Sequence, residues 1–302
     1  MSKRFHSLLY ITFIAAIVST CAEKKEREFI WGNLKNLGPN INSAGRDEHV
    51  TFPQDGKTMY FASIRKAGLG GYDLYMSTLE NGEWSKATLI PPPINTKRDE
   101  YDPFVTLDGT KLLFASNRDN EGPYWNCDIY ISEWDGEKWS DPRIYDSLFV
   151  TENKPDWGVA ITEDSKTFIF SSGREPAKEQ SVQIFQSQWL GDKWSEPKAL
   201  PPPLNSGAWE ATPYITPDGK TLYLNSARGE EGKKDVDIWK FEFTGGEWTN
   251  AQLMRGPFLS NKHDYDPCIS PDGERFYFTS NRDGGLGDAD IYVVEKVYAE
   301  KN

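Results

Sequence analysis

The sequence predicts an all-β fold made of five repeated four-stranded units, and three observations carry that prediction. A turn signal recurs at Asp55-Gly56, Asp108-Gly109, Asp164-Ser165, Asp218-Gly219 and Asp272-Gly273, with successive Asp residues 53, 56, 54 and 54 positions apart. After each turn comes an alternating apolar strand ending in Ser-x-Arg, at Ser63/Arg65, Ser116/Arg118, Ser172/Arg174, Ser226/Arg228 and Ser280/Arg282. A further strand begins at Asp73, Asp128, Gln183, Asp237 and Asp290, and in the first four repeats a Gly-containing hairpin then leads to Trp84, Trp139, Trp194 and Trp248. Alternation with period two between Asp-Gly or Asn-Gly turns marks antiparallel hairpins, because successive strand side chains point to opposite faces. Four short strands repeated at a fixed period of this length make a β-propeller blade.

The ends of the repeat array predict how the ring closes. The fifth repeat stops at Asn302, where its Trp strand is due, while the segment from Phe29-Ile30-Trp31 to Asn42 precedes the first repeat without a blade of its own. Trp31 stands 53 positions before Trp84, so this segment is expected to supply the missing strand. The expected architecture is a five-bladed β-propeller of four-stranded blades over residues 29–302, closed by the N-terminal strand joining the last blade. Closure hides both sheet edges, which otherwise invite association with other chains.

The first residues belong to a different class. Lys3 and Arg4 give a positive start, and Leu8 to Val18 is an apolar run of eleven residues. Eleven is short of the roughly 20 residues that span a bilayer, but it suits the core of a signal peptide. The run ends in Val18-Ser19-Thr20-Cys21, which resembles a bacterial lipobox; an ordinary secretory signal cleaved nearby is the alternative. The lipobox resemblance implies a signal peptide over 1–20, Cys21 as lipid anchor, and a short charged tether over 21–28. Ala22 after the cysteine implies an outer-membrane lipoprotein of the bacterial cell envelope, periplasmic or surface-exposed.

Composition excludes some function classes. With 46 acidic against 34 basic residues the formal net charge is -12, and the pI is near 4.9. Nucleic acid is therefore not an expected partner, since phosphate binding needs clustered Lys and Arg. A mean hydropathy of -0.65 argues against a polytopic membrane protein.

The strings Asp266-Pro267-x-x-Ser270-Pro271-Asp272-Gly273, Ser280-Asn281-Arg282-Asp283-Gly284-Gly285-Leu286-Gly287 and Asp290-Ile291-Tyr292 resemble the WD-like propeller repeat of the TolB periplasmic protein and of many bacterial envelope lipoproteins. The resemblance covers 29–302 and implies the propeller fold. It says little about function, because superfolds host many. This chain departs from TolB in having five repeats rather than six.

Within the repeats, features common to every blade are expected to be structural. An acid recurs at the start of each innermost strand, at Glu48, Glu100, Asp156, Glu210 and Asp264, and it matches the Ser-x-Arg arginines Arg65, Arg118, Arg174, Arg228 and Arg282 in number. The expectation is a structural ring of acid–arginine pairs between sheets; a metal site or a glycosidase carboxylate pair is the sharper alternative. The loops Gly68–Gly71 and Gly284–Gly287 are read as tight turns, since no helix N-terminus follows to bind phosphate. Cys127 and Cys268 occupy non-equivalent positions and are expected to be free buried thiols.

Features that break the pattern are the candidates for function. The residues after the ring acids are His49, Tyr101, Trp157, Ala211 and Tyr265, and His263 precedes Asp264. Aromatic and imidazole groups at a channel mouth suit a sugar ring or a partner's loop, packing between inner strands being the plainer account. Asp102 and Asp266 add carboxylates two places after their ring acids, where the other blades carry Val50, Gly158 and Thr212. No zinc-binding spacing and no G-x-S-x-G elbow is present, and no cofactor or metal is expected. The expected function is a non-enzymatic envelope lipoprotein that binds or scaffolds a protein or glycan partner. The alternative is a carbohydrate-active, glycoside hydrolase-like enzyme using Asp102 and Asp266.

Overall fold

The structure, a computed structural model, describes residues 28–120, 126–174, 182–229 and 235–299. Cys21, the signal segment and nearly all of the tether lie outside the described residues. The remaining chain forms 21 strands in five antiparallel sheets. Strand β1 (Phe29–Asn36) comes first. Blade one follows, with β2 (Asp47–Thr51), β3 (Thr58–Ser63), β4 (Asp73–Glu80) and an outer strand split into β5 (Glu83–Trp84) and β6 (Thr88–Leu89). Blade two holds β7 (Glu100–Val105), β8 (Lys111–Ser116), β9 (Asp128–Glu133) and β10 (Arg143–Ile144). Blade three holds β11 (Asp156–Ile161), β12 (Thr167–Ser172), β13 (Gln183–Gln188) and β14 (Lys198–Ala199). Blade four holds β15 (Glu210–Ile215), β16 (Thr221–Ser226), β17 (Asp237–Thr244) and β18 (Glu247–Leu253). Blade five holds β19 (Asp264–Ile269), β20 (Arg275–Ser280) and β21 (Asp290–Tyr298).

The ring closes as the repeat arithmetic requires. Strand β1 pairs antiparallel with β21, from Phe29 opposite Tyr298 to Asn36 opposite Tyr292, and completes blade five as its outer strand. Asn42 reinforces the seam: its side chain donates to Ile291 O at 3.0 Å and accepts from Ile291 N at 2.9 Å.

Each sheet buries both faces against its neighbours, so the core is five inter-blade layers in place of one centre. Blades one and two meet through Leu74, Ile94, Leu112 and Phe114; blades two and three through Leu113, Ile131, Phe168 and Phe170. Ile169, Ile184, Leu222 and Leu224 join blades three and four, and Tyr223, Ile238, Phe276 and Phe278 join four and five. Met59 and Phe61 pack on Tyr277 and Val293 across the closure. Burying an aromatic or aliphatic side chain contributes about 1.5–3 kcal/mol, so every layer stabilises the ring, including the non-covalent one.

All five innermost strands carry the same bulge. Register shifts at Glu48/Thr51, Tyr101/Phe104, Trp157/Ala160, Ala211/Tyr214 and Tyr265/Cys268. The residue beginning the bulge is His49, Asp102, Gly158, Thr212 or Asp266, with φ of 59°, 50°, 58°, 50° and 55°. A bulge re-aims one side chain, and here it sets those five positions around the channel.

Candidate functional site at the channel

Two rings of side chains occupy the connector end of the innermost strands. The outer ring is the acid–arginine set. Arg118 Nη2 lies 3.3 Å from Glu100 Oε1, Arg174 Nη2 3.0 Å from Asp156 Oδ1, Arg228 Nη2 3.2 Å from Glu210 Oε1 and Arg282 Nη2 2.6 Å from Asp264 Oδ1. In blade one the partner of Arg65 is Asp47, at 2.5 Å. Glu48, expected in that role, is displaced one place along the strand and joins a different group. The pairs also lie within one blade, linking β2 or its equivalent to the end of the next strand, and do not bridge sheets as expected. Each arginine further donates Nε to its Ser-x-Arg serine and Nη to a carbonyl of the incoming connector, as in Arg282 to Ser280 Oγ at 2.9 Å and to Pro257 O at 3.0 Å. Its guanidinium lies over two rings of its own sheet, as Arg118 does over Phe114 and Tyr130, 5.0 Å from each centroid. Burial pushes the Asp156 carboxyl up to about 6 against the pull of Arg174.

The inner ring is the bulge set, and it is not uniform. His49 of blade one projects its Nε2 to within 2.5 Å of Asp102 Oδ1 in blade two and 2.9 Å of Asp266 Oδ1 in blade five. Asp102 and Asp266 are 4% and 3% exposed. Asn225 of blade four clamps Asp266, donating Nδ2 to its Oδ1 at 2.8 Å and accepting from its backbone N at 2.8 Å. Burial works against a charged His49, but the carboxylates of Asp102 and Asp266 outweigh it and hold the imidazole well above its usual range. Burial raises the Asp102 carboxyl, with His49 opposing. Blades three and four put Gly158 and Thr212 at the same level. A Cβ on Gly158 would sit 3.0 Å from Thr212 Cα, so glycine there lets blades three and four approach.

Above the inner ring lies a polar mouth. Glu48 Oε2 accepts from Tyr265 Oη at 3.1 Å and lies 3.4 Å from Arg46 Nε, while Arg46 Nη2 donates to Tyr265 Oη at 3.0 Å. Tyr72 also faces Glu48, and its ring lies 5.7 Å from that of Tyr101. Tyr101 donates its hydroxyl to Cys127 Sγ at 2.6 Å and is buried, so it supports the mouth and does not line it. Trp157 is half-buried against the layer between blades one and two. His263 stands apart as a loop brace: its Nδ1 accepts from Val236 N at 2.8 Å.

The structure therefore brings His49, Asp102 and Asp266 into one cluster and places Tyr265 beside Glu48. Sequence reasoning missed Asp47, Arg46 and Tyr72. The signal for Asp47 was present: acid and arginine are 18 positions apart in blades two to five, whereas Glu48 and Arg65 are 17 apart. The same offset aligns His49 with Asp102 and Asp266 and sets Val50 one place too far. Cys127 and Cys268 are buried free thiols. The glycine loops spend their amides on the chain itself, Leu69 N donating to Asp73 Oδ2 at 2.8 Å and Gly287 N to Asp290 Oδ1 at 3.2 Å.

No family model and no curated protein matches the chain. Among solved structures it is similar to a protein described as TolB from Agrobacterium tumefaciens, with 15% identity over 91% of this chain and 99% of that one and a TM-score of 0.51. It is also similar to an endo-arabinase from Bacteroides thetaiotaomicron (12% identity, 88% and 99% covered, TM-score 0.56) and an α-L-arabinofuranosidase from Podospora anserina (14%, 90% and 97%, TM-score 0.53). At such identities the likeness establishes the fold: the chain is a five-bladed propeller. Its neighbours include a protein described as TolB, an endo-arabinase and an α-L-arabinofuranosidase, and shared architecture does not choose between them.

Proposed function

We propose that this protein is a non-enzymatic binding or scaffolding propeller of the bacterial envelope, tethered through a lipidated Cys21, with the mouth around Trp157, Tyr265, Arg46 and Glu48 as its contact surface. One observation carries the choice of binding over turnover. The two carboxylates that could act as a glycosidase pair both lie against His49 Nε2, at 2.5 and 2.9 Å. A glycosidase needs the scissile sugar between its acid and its base or nucleophile, and here an imidazole fills that place. The mouth offers aromatic edges, a tyrosine hydroxyl and a half-exposed arginine, a mixture suited to a partner's loop or a glycan.

Crosslinking and pull-down from envelope extracts tests this. The expected result is a specific envelope partner or glycan that is captured by the wild type and reduced with Trp157→Ala. No specific capture, under conditions where a known envelope pair is recovered, would sink the proposal. The convergence of Asp102 and Asp266 favours a second reading, a carbohydrate-active enzyme. Release of reducing sugar from arabinan or envelope polysaccharide, abolished in Asp266→Asn, would establish it in place of the first.

A further inference from the structure

On the turn side of the His49 cluster the channel holds a cavity of about 100 Å³ that reaches Leu107, Glu163, Pro217 and Pro271 beside the Asp-Gly turns. The mouth proposed above as a contact surface does not use it. Its walls are largely apolar, including Val50, Val159, Pro103, Pro213, Pro267 and Tyr214. Its closed end is the bulge ring, with His49, Asp102, Thr212 and Asp266 all in the lining. No Lys or Arg is among the described lining residues, so His49 is the one cationic group there.

The polar atoms at that end are not all satisfied. Asp266 Oδ2 has no hydrogen-bond partner, and Asp102 has only the Gly158 backbone N–H besides His49, in residues more than nine-tenths buried. Native proteins rarely leave such groups unpaired, and each one asks for a missing donor. Ionised carboxylates only accept, so a further donor for Asp266 Oδ2 must come from outside the cluster. When both carboxylates are ionised, one imidazolium leaves one negative charge in excess, and an uncompensated buried charge is costly.

We propose that this cavity binds a primary alkylammonium, its head against Asp102, Asp266 and Thr212 and its stem along the valine and proline walls. An ammonium carries three donors and no acceptor, which matches the unpaired Asp266 oxygen, the Asp102 carboxylate and a threonine hydroxyl. A calcium ion takes six to eight oxygen ligands, which apolar walls do not supply. The alkyl stem instead gains from leaving water. The ammonium could belong to a free amine or to a lysine side chain of a partner entering from the turn face, and the inference stands whether or not the opposite mouth binds anything.

Isothermal titration of the full-length protein in detergent with n-propylammonium chloride tests it, with n-propanol, potassium chloride and calcium chloride as comparison ligands. Saturable amine binding is expected, tighter than n-propanol by at least about tenfold, the factor that 1.4 kcal/mol represents. Thr212→Val, which keeps the side-chain shape, should weaken it several-fold, and Asp266→Asn should weaken it more. Thr212→Val is the deciding variant if Asp266→Asn does not fold. A blocked Gly-Lys-Gly peptide separates the two sources: peptide binding assigns a partner's lysine, amine binding alone assigns a free amine, and either supports the site. Absence of saturable amine binding, equal binding of n-propanol, displacement by calcium, or unchanged affinity in Thr212→Val would overturn the proposal.

Discussion

Two rings of residues sit two positions apart on the same five strands, and they obey opposite rules. The outer ring, from Asp47–Arg65 round to Asp264–Arg282, repeats in every blade with the same serine, the same connector carbonyl and the same pair of rings beneath the guanidinium. The inner ring shares only its backbone, a bulge with positive φ, and fills it with His, Asp, Gly, Thr and Asp. Its charges stand on blades five, one and two, and its neutral residues on blades three and four. The outer ring is uniform because each blade must solve the same problem of anchoring its connector. The inner ring is free to vary because a channel needs chemistry at only some positions. Left-handed backbone at a non-glycine residue costs about 1–2 kcal/mol, and His49, Asp102, Thr212 and Asp266 all carry it. Strain of this kind concentrates at functional sites.

The comparison can be broken or sharpened by experiment. The largest effect is expected from His49→Ala, which leaves Asp102 and Asp266 buried without their shared cation. Removing one partner of a buried ionic group costs about 3–5 kcal/mol, measurable by urea unfolding, and adding Asp102→Asn to that variant should recover part of the loss. A loss below about 1 kcal/mol would mean the inner cluster behaves like a surface pair.

Next in size is Gly158→Ala. The new Cβ would meet Ser171 Oγ at 2.9 Å and Thr212 Cα at 3.0 Å at a residue with φ of 58°. Overpacking of this kind costs about 1–3 kcal/mol. Thr212→Gly, which relieves a β-branched residue at φ 50°, should lose far less stability in the same assay, or gain some.

The pH dependence should be smaller and its sign is set by the cluster. His49 is held above its unfolded value of 6.5, so its contribution is complete below about pH 6.5 and falls away as pH climbs towards the folded value. Burial raises Asp156 from 3.8 to about 6 and raises Glu100 and Asp102 as well. Raised carboxylates hold protons better folded than unfolded, so they too favour the fold at lower pH, Asp156 losing its share between about 4 and 6. The thermal midpoint should therefore rise as pH is lowered from 8 to 5.5. His49→Gln should flatten the part above 6.5, and Asp156→Asn the part near 6. A midpoint that falls over that range would contradict both assignments.

The smallest effect is the control. Arg143 and Glu133 form an ion pair at 3.1 Å with side chains 62% and 55% exposed. Arg143→Ala should change stability by less than about 1 kcal/mol in the same unfolding assay, against the several expected when a ring arginine such as Arg118 is removed from buried Glu100.

The sequence by itself determined the repeat, the blade count, the closing strand and which acids and arginines make four of the five ring pairs, though not that each pair lies within one blade. All of these are encoded locally, in Asp-Gly turns, period-two strands and a constant offset of 18 positions between acid and arginine. The slip from Asp47 to Glu48 shows the limit of pattern matching on strands, because one residue moves a side chain to the opposite face. Only the tertiary structure decided that His49 meets Asp102 and Asp266. Those residues are 53 and 217 positions from it in the chain, and no local signal links them. They touch because ring closure sets blade five beside blade one and the shared bulge turns the same position of each inner strand towards the channel.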